Sequence, residues 1–546
     1  MSVPTEKRQG SLFAVPVLGA ALFQSAADRY RVFREKILPC LWAVREQLAT
    51  LYCADNGRPA IEPVLALGVT LLQFMEKVPD RRAEEHLRLH LGWKYALDVE
   101  LGYAGFDHSS LGKFRDRLLA GGAARIGFDA LLQGLRAAGL LRRRGKQRLD
   151  STHVLGAVAK MGRLEVVRET IRLVLRQLSR VGAHHQLGSW AVWHERYVDS
   201  QIAWHRLNPA GLKEKFEQAG CDALELIKWL RLQPAALRDS DQALLLQRVF
   251  LEQYDLGSDE PPQRRTTEAS GVVQNPHDPE VQWATKDLAK TTQWEGYKVQ
   301  VAETVAVDGQ VKPKGEPTEQ FLTEVTTTEA IASDLDGRRR LEQNQHEHGQ
   351  GVADELYVDA AYVTDDTLAE AREQGRDLIG PARPSANAAG AHLFAADAFD
   401  VDIANRKATC PAGHESRQCS RLENHHTGHV DYRFEWAGLC QTCPLQKQCT
   451  TSRSGRRMVV VGEHHDLLQQ RRRAMQTEEF QRLLRRRNAI EGTISEFTRG
   501  GGRRTRYRGL AKTTLANYFQ GAAVNAQRWI RLLQWHNEQE PIEQAA

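Results

Sequence analysis

The spacing of apolar and polar residues divides the chain into helical and strand-forming stretches. Between residues 60 and 145, apolar side chains recur every three to four positions, as in IEPVLALGVTLLQFMEKV, where Pro63 lies near the start of a predicted helix. The same spacing returns over residues 155–255. The short strand-like segment QRLDSTHV separates the two helical stretches. The pattern at 60–145 is compatible with a helix-turn-helix and equally with a plain helical bundle.

The middle of the chain has the pattern of strands. Short runs rich in β-branched and aromatic residues alternate with a helical stretch. The predicted elements are strands at 297–307, 321–328, 355–363 and 376–384 and a helix around 329–345. Strands that alternate with helices predict a mixed α/β sheet with helical crossovers. The following stretch, 385–465, is predicted to be rich in loops.

Positive charge is concentrated in the last part of the sequence. A long basic helix is predicted from about Thr477 to about Phe497, followed by the Gly/Arg loop RGGGRRTRYRG and a last helix over 510–534. Between Arg471 and Arg531 there are fourteen Arg and one Lys against four Glu, although the net charge of all 546 residues is only +5. Such a surface favours a polyanionic partner through counterion release, and the alternative is a solvated helix face. We therefore expect a nucleic acid partner.

The composition also bears on the cellular compartment. No run approaches the roughly 20 apolar residues that a membrane-spanning helix needs. The segment SLFAVPVLGAALF, preceded by Lys7 and Arg8, imitates a secretory signal. We nevertheless expect a structural N-terminus, because cysteines with metal-like spacing and a basic C-terminal third argue against export. The eight cysteines are then expected in a reducing, cytoplasmic compartment, where metal binding is more common than disulfides.

Two aspartates follow short apolar runs. Asp150 stands in LDSTHV and Asp359 in LYVDAAY, each where a buried strand is expected to reach the surface. Two carboxylates at the ends of neighbouring strands suit Mg²⁺, and a third acid allows a second ion about 3.5–4 Å away. On a helical projection of LLRRRNAIEGTISEFTRGG, Glu491 shares a polar face with Arg487. A surface ion pair is the ordinary explanation for such a Glu, so the residues alone leave the third acid open.

These segments together resemble the DDE-type transposases of bacterial insertion sequences, which have a ribonuclease-H-like catalytic core. DRRAEEHLRLHLGWKYALDVE and DHSSLGKFRDRL resemble the family's helical N-terminal domain, and LDSTHV and YVDAAYVT resemble its two aspartate strands. RRRNAIEGTISEFTRGGGRRTRYRGL resembles the final-acid helix and its basic sequel. The resemblance implies that Asp150, Asp359 and Glu491 bind Mg²⁺ or Mn²⁺ and catalyse the reaction. Glu496 is the rival third acid, but it has no Arg four residues before it.

The chain departs from the family pattern at several positions. Ala360 and Ala361 stand where the family usually has a Gly after the second Asp. In the final-acid helix Arg487 matches the family's Arg, but Leu484 replaces a Tyr and Thr498 replaces a Lys. The corresponding DNA contacts are therefore expected from other basic residues. The predicted DNA-binding residues are Arg487, Arg499, Arg503, Arg504, Arg506, Arg508 and Lys512.

Two tryptophans, Trp283 and Trp294, lie in the segment that leads to the predicted strand at 297–307. An aromatic side chain at such a place can stack on a base taken out of the double helix. Packing in the protein core is the more common role of Trp. Both interpretations stay open at this point.

A cysteine cluster precedes the final-acid helix. The segments CPAGH and CQTCPLQKQC contain a Cys-x₂-Cys knuckle with further cysteines on both sides, which predicts a structural zinc site. The predicted ligands are Cys410, Cys440, Cys443 and Cys449. His414 and Cys419 are alternatives for the fourth ligand, and the other possibility is a set of reduced cysteines in a small insertion. The resemblance is to the branch of the family with a cysteine-rich insertion before the final Glu.

The predicted fold class is α/β, with an all-helical N-terminal domain before a ribonuclease-H-like mixed sheet that carries helical and zinc-ribbon-like insertions. The domains are a helical DNA-binding or assembly domain at 1–145, a catalytic core at 146–530 with insertions at about 155–265 and 390–465, and a tail at 531–546. The resemblance implies a homodimeric, Mg²⁺-dependent transposase that binds terminal inverted repeats and target DNA. The alternatives are a nuclease without strand transfer and a non-catalytic, transposase-derived DNA-binding protein; the three intact acids argue against the second.

Overall fold

The computed structural model describes most of the chain. The described residues are 22–53, 60–142, 145–200, 208–257, 261–266, 271–286, 291–305, 316–317, 319–385, 393–425 and 428–543. Most of the signal-like segment SLFAVPVLGAALF lies outside these residues. The expectation that it forms a structural N-terminus therefore concerns residues outside the described part of the chain. In the described part, no helix combines the length and the apolar character that crossing a membrane requires.

The described residues form α-helices and strands in the following order. The helices are α1 (Arg29–Val32), α2 (Leu38–Trp42), α3 (Arg45–Ala49), α4 (Pro63–Glu76), α5 (Asp80–Leu89), α6 (Leu91–Ala96), α7 (Ser109–Ala120), α8 (Ile126–Ala137), α9 (Arg163–Arg180), α10 (Trp190–His194), α11 (Pro209–Arg231), α12 (Ala235–Arg238), α13 (Asp241–Gln253), α14 (Asp334–Glu347), α15 (Asp365–Glu373), α16 (Gln446–Cys449), α17 (His465–Ala474), α18 (Glu478–Arg485), α19 (Ile490–Phe497) and α20 (Leu510–Glu543). The strands are β1 (Lys146–Leu155), β2 (Tyr254–Asp255), β3 (Gln263–Arg264), β4 (Gln282–Thr285), β5 (Gln293–Thr304), β6 (Leu322–Glu329), β7 (Glu355–Tyr357), β8 (Asp377–Ile379), β9 (Asp400–Asp402), β10 (Lys407–Thr409), β11 (Gln418–Glu423), β12 (Val430–Glu435) and β13 (Met458–Gly462).

The central sheet is mixed and has β1 in its middle. On one side β1 pairs antiparallel with β5, and β5 pairs antiparallel with β6. On the other side β1 pairs in parallel with β7, and β7 pairs in parallel with β8. β4 pairs with the first residues of β5, on the edge that β6 occupies farther along. The order β6-β5-β1-β7-β8 therefore confirms the predicted mixed α/β sheet.

The last helix joins the N-terminal helices to this sheet. Phe519 of α20 stacks on Phe74 of α4, with ring centroids 5.5 Å apart. The Asn525 side chain accepts a hydrogen bond from the backbone N–H of Leu322 in β6 and donates one to its carbonyl. One apolar cluster contains residues of the N-terminal helices, of β5 and β6, and of α20. The helical region and the sheet thus share a core.

Two helices cover opposite faces of β6. The Asn517 amide of α20 donates to the Thr327 hydroxyl, and the Asn344 amide of α14 donates to the Thr326 hydroxyl. Successive side chains of a strand point to opposite faces, so α20 and α14 lie on different sides of the sheet. The described sheet is therefore the middle layer of three at this edge.

The helical stretch after β1 has a core of its own. α9, α11 and α13 pack on one another through residues that include Ile171, Leu226 and Leu246. The Ser240 hydroxyl accepts from the Ala243 N–H and caps the start of α13, as Ser favours. The structure confirms helices in the predicted stretch.

Short strands supply most of the regular structure in the cysteine-containing segment. β11, β12 and β13 form an antiparallel sheet, and β9 pairs with β10. Phe434, Trp436 and Val459 are buried in its apolar cluster. Loops and turns still make up more than half of the described residues of 385–465, as the loop-rich prediction expected, but the strands were not predicted. The alternating burial along β12, with Val430, Tyr432 and Phe434 inside, supplies the core that the prediction missed.

Other predicted boundaries also need correction. β1 has ten residues instead of a short run, because β5 pairs with it along almost its whole length. Asp150 therefore lies in the middle of a strand and not at its end. The predicted strand at 355–363 ends at Tyr357, because the N–H of Ala361 turns back to the Asp359 carboxylate at 2.7 Å. Asp359 thus lies just beyond a strand, as expected.

The basic helix and the predicted tail differ from expectation as well. A 3₁₀ turn, Arg486–Ala489, separates α18 from α19, so the helical projection across Arg487 and Glu491 was only approximate. The last helix does not end near residue 534 but continues to Glu543 through most of the predicted tail.

Candidate active site

The two predicted aspartates lie side by side on neighbouring strands. Arg148 of β1 is in register with Tyr357 of β7. Asp150 comes two residues after Arg148, and Asp359 comes two residues after Tyr357. Asp150 and Asp359 therefore lie at the same level of the sheet, one on β1 and one at the turn after β7. The side chain of Asp150 is 18% exposed and that of Asp359 is 38% exposed, so solvent reaches both carboxylates.

A guanidinium group lies between the two carboxylates. The Nη2 atom of Arg487 is 2.8 Å from Oδ2 of Asp150 and 3.9 Å from Oδ2 of Asp359. Burial raises the pKa of the Asp150 carboxyl above its ordinary value, and the Arg487 charge opposes that shift. The site therefore has two acidic groups that already converge on one cationic nitrogen.

The third predicted acid stands on the same helical run as Arg487. Glu491 lies in the first turn of α19, four residues after Arg487, and its side chain is exposed. The ligand oxygens of Asp150, Asp359 and Glu491 do not all lie within 4.8 Å of one another. The structure thus brings the two aspartates together, and it leaves Glu491 close to Arg487 along the chain but outside the contact that Arg487 makes with the aspartates.

A buried ion network fixes the helix that carries Glu491. Glu303 of β5 accepts from Arg148 at 2.5 Å, from Arg528 at 2.7 Å and from the Thr493 hydroxyl at 2.6 Å. Arg528 of α20 also donates to Thr493 and Glu496. Since Thr493 and Glu496 are both in α19, the network ties this helix to the sheet and to α20.

The same network distinguishes Glu491 from Glu496, the two candidates for the third acid. Glu496 is occupied by structural ion pairs, since its carboxylate contacts Arg528 and Arg531. Arg148 also donates to the carbonyl of Arg486, the residue before Arg487, at 3.0 Å. Sequence reasoning missed this network. Its signal was the presence of Arg148 and Glu303 inside predicted strands, where a buried charged side chain needs a partner.

Further polar groups surround the aspartate pair. The Ser151 hydroxyl donates to Asp334 at 3.0 Å, and Lys298 reaches the same carboxylate at 3.3 Å. Tyr362 donates to Gln300 at 2.7 Å, and burial raises the pKa of its hydroxyl well above the ordinary value. Asp334 was not predicted, because it lies at the start of a helix with no distinctive neighbours in sequence.

The predicted DNA-binding residues fall into two groups. Arg487 and Arg503 bind protein groups: Arg503 donates to the His153 ring at 2.8 Å and to its carbonyl at 3.1 Å. The others have exposed side chains: Arg499, Arg504, Arg506, Arg508 and Lys512. Some exposed members also have protein contacts, such as Lys512 with Asp116 at 2.8 Å. The exposed group forms a basic surface on the loop between α19 and α20 and on the first turn of α20.

The four predicted zinc ligands line one small cavity. Cys410, Cys440, Cys443 and Cys449 surround it, together with His414. Burial raises the pKa of the Cys449 thiol; Arg457 opposes the shift, and the other three cysteines add to it. No three of these thiols have sulfur atoms all within 4.8 Å of one another. Cys419 stands apart on β11, opposite Phe434.

Two family models match separate parts of the chain. Residues 409–530 match a family described as a transposase DDE domain, and residues 21–117 match a transposase domain, DUF772. The two matches support a DDE-type insertion-sequence transposase. No curated protein and no solved structure matches it. The first match contains Arg487, Glu491 and the cysteine cluster, whereas Asp150 and Asp359 precede it.

A transposase DDE domain implies the use of a divalent metal, and the two transposase matches imply a DNA substrate. The aspartate pair fits such a metal, because carboxylate oxygens are the ligands that hard divalent cations prefer and both already converge on one cation. Two clusters of acidic residues and a histidine in the described residues have ligand atoms within 4.8 Å of one another, and neither contains a predicted site residue. They are Glu84, Asp107 and His108, and Glu316, Glu319 and His536.

Proposed function

We propose that this transposase cuts DNA at the ends of an insertion sequence and joins the resulting 3′-hydroxyl to target DNA. The observation that carries the proposal is the convergence of Asp150 and Asp359 on Arg487, in a chain of the DDE-type family. We further propose that the central sheet is the ribonuclease-H-like core that the resemblance implies. Its strand order, with β1 antiparallel to β5 and parallel to β7, supports this.

Asp150, Asp359 and Glu491 are the proposed ligands of Mg²⁺ or Mn²⁺. When bound, such ions make water a better nucleophile and stabilise charge on the phosphoryl oxygens. Glu491 is preferred to Glu496 as the third acid, because the Glu496 carboxylate is held by two arginines whereas Glu491 is exposed next to the site. The buried network under α19 holds the backbone of Glu491 in place while its side chain turns to the aspartates.

Arg487 has a proposed role in holding the substrate. A divalent cation at the aspartate pair would displace the guanidinium from Asp150, and the freed Arg487 side chain would remain beside the reacting phosphate. A planar guanidinium can bind two phosphate oxygens at once. Arg487 would thus orient the scissile phosphate for in-line attack, a step in which positioning supplies much of the rate.

The exposed basic surface between α19 and α20 is the proposed grip on the DNA backbone. Arg504 and Arg508 have exposed side chains, and within the described residues neither has a protein partner. Arginine contacts to phosphates position a duplex without reading its sequence. Because two element ends are cut and joined, we propose that a homodimer assembles on DNA in a bacterial cytoplasm.

The four clustered cysteines are proposed to hold a structural zinc ion. Their pattern in sequence and their common cavity support this. Zn–S bonds of about 2.3 Å require the four sulfur atoms to approach one another more closely than they do here. Metal analysis of the purified protein tests the proposal: about one zinc per chain, lost in Cys443→Ser, supports it, and zinc-free folded protein overturns it.

The main test uses the purified full chain, Mg²⁺ and a labelled duplex that ends in the terminus flanking the coding region. We expect end-specific nicking and strand joining by the wild type, and none by Asp359→Ala. Asp354→Ala is the matched control, because this exposed acid lies five residues earlier in the same segment. It should retain wild-type activity.

Other outcomes distinguish the alternatives. Nicking without joining would indicate a metal-dependent nuclease. Specific binding without cleavage by any variant would indicate a non-catalytic DNA-binding protein. Equal cleavage by the wild type and Asp359→Ala would mean that other residues catalyse the reaction.

A further inference from the structure

A large cavity opens beside the aspartate pair. Its volume is about 1110 Å³, and its wall includes Ala360 and Ala361, which directly follow Asp359. Asp334, also in the wall, accepts a hydrogen bond from Ser151, the neighbour of Asp150. The cavity therefore adjoins both proposed metal ligands.

The helical insertion closes the cavity on the far side. The start of α9 and the end of α13 contribute to the wall, and β4 with the first residues of β5 completes it. Pockets of about 300–1,000 Å³ enclose most of a drug-sized ligand. A cavity of this volume is too confined for a double helix but admits one or a few unpaired nucleotides.

The wall has the side chains that bind nucleotides. Trp283 and Trp294 both line it, Lys298 lies at its inner side and the exposed Arg383 lies at its rim. Aromatic side chains bind any unpaired base by stacking, and basic groups bind the phosphates. Asp334 offsets part of the positive charge, since it pairs with Lys298 at 3.3 Å.

An independent observation concerns Trp294. Its side chain is 8% exposed, and its indole N–H is a buried donor without a hydrogen-bond partner among the described residues. A buried unpaired donor is costly and uncommon in native structures, so it calls for an explanation. A ligand that offers an acceptor in the cavity would supply the missing partner. The ring itself stacks on His153 of β1, with centroids 5.3 Å apart.

We propose that this cavity binds an unpaired nucleotide at the DNA end, with its base stacked on Trp283 and an acceptor of the nucleotide at the indole N–H of Trp294. The inference rests on the proposed function, because it supposes that DNA lies at the aspartate pair. It adds that the end must open before or during cleavage, and that the helical insertion after β1 forms part of the substrate site. An extrahelical nucleotide would hold the terminal phosphate in register with Asp150 and Asp359.

The test measures DNA binding by the full chain while one protein residue and the base pairing of the DNA end are each varied. One DNA end is fully paired, and the other has its terminal base pairs mismatched so that the nucleotides there are unpaired. We expect the wild type to bind the unpaired end at least about fivefold more tightly, and Trp283→Ala to lose that preference. Trp283→Phe should retain most of it, because Phe also stacks.

Trp190→Ala is the matched control, since Trp190 is partly buried against the core of the helical insertion and does not line the cavity. It should keep the preference of the wild type. Equal preference in wild type and Trp283→Ala would overturn the inference. If Trp190→Ala also lost the preference for the unpaired end, the inference would be overturned, because the preference would then depend on the fold of the insertion and not on stacking in the cavity.

A second readout is independent of catalysis. A DNA end with 5-iodouracil at successive terminal positions is photocrosslinked to the Asp359→Ala variant, and the modified residue is mapped. Crosslinks at Trp283 or Trp294 support the inference even if the protein cuts nothing. Crosslinks confined to the basic loop, in a preparation whose wild type cleaves DNA, overturn it and leave the proposed function intact.

Discussion

The guanidinium of Arg487 lies 2.8 Å from the carboxylate of Asp150 and offsets its negative charge. The two groups come from positions 337 residues apart, one in the middle of β1 and the other at the turn between α18 and α19. A cation that binds the aspartate pair must therefore compete with a cation that the protein provides.

This competition predicts that Arg487→Met binds metal more tightly than the wild type. A hydrogen bond to a charged group contributes about 1.5–3 kcal/mol, so its loss should lower the Kd for Mn²⁺ by at least about tenfold. DNA cleavage should fall at the same time, because the phosphate loses its guanidinium contact. Titration calorimetry without DNA measures the first effect. The control is Arg485→Met, because Arg485 is an exposed arginine two positions earlier; it should change neither metal binding nor cleavage. Unchanged or weaker metal binding by Arg487→Met contradicts the prediction.

The buried network predicts a large effect for Glu303→Leu. This substitution leaves Arg148 and Arg528 buried without their shared carboxylate, and breaking a buried ion network costs about 3–5 kcal/mol. Thr493→Val removes only a hydroxyl from the same network and should cost about 1 kcal/mol. Urea unfolding followed by circular dichroism measures both. Similar losses for the two variants would mean that the network is not held by Glu303.

The junction between the N-terminal helices and β6 predicts a pH dependence of stability. Glu324 is fully buried and shares the Arg125 guanidinium with Asp129, so one cation faces two carboxylates. Burial raises the pKa of Glu324 from 4.5 to about 7, against the opposing effect of Arg125. The folded state thus holds this proton more tightly than the unfolded state does. Its contribution is complete below about pH 4.5 and is lost as the pH rises through about 7.

We therefore expect the free energy of unfolding to fall by on the order of 2 kcal/mol between pH 5 and pH 8 through this group alone. Glu324→Gln cannot titrate and should lack that part of the slope. The measurement is urea unfolding of both proteins at several pH values. Parallel curves for the wild type and the variant would show that Glu324 stays ionised across the range.

The exposed basic surface predicts the salt dependence of DNA binding. Each phosphate contact contributes about 0.9 to the slope of log K against log salt for duplex DNA. Arg504→Ala and Arg508→Ala should each lower the slope by about one and weaken binding to all duplex sequences alike. Lys213→Ala provides the comparison, since this lysine is exposed on α11 in the helical insertion. An unaltered slope in both arginine variants would place the DNA elsewhere on the protein.

Much of the fold was predictable because local patterns determine it. The apolar spacing around α4 and the β-branched and aromatic residues of β5 and β6 are properties of a few neighbouring residues. The length of β1 was not predictable in this way, because it depends on pairing with a strand about 150 residues later. The mid-strand position of Asp150 follows from that pairing.

The same reasoning applies to the site. Asp150 and Asp359 could be singled out from their flanking residues. Their neighbours Arg487 and Asp334, and the network of Glu303 with Arg528, depend on contacts between distant segments. A sequence pattern records which residues are charged, but the partner of each buried charge is decided by packing. The resemblance to a family supplied Glu491, and its exposed position is a feature that no local pattern gives.

The packing of α20 against α4 and α8 has a consequence for the order of events on the ribosome. The N-terminal helices are synthesised early, yet the helix that completes their core begins only at Leu510. At about 5–20 residues per second, roughly 20–75 s separate the synthesis of α8 from that of α20. During this interval the nascent chain exposes apolar surface that its final helix will cover. Chaperone binding to translating ribosomes should therefore persist until α20 has left the exit tunnel.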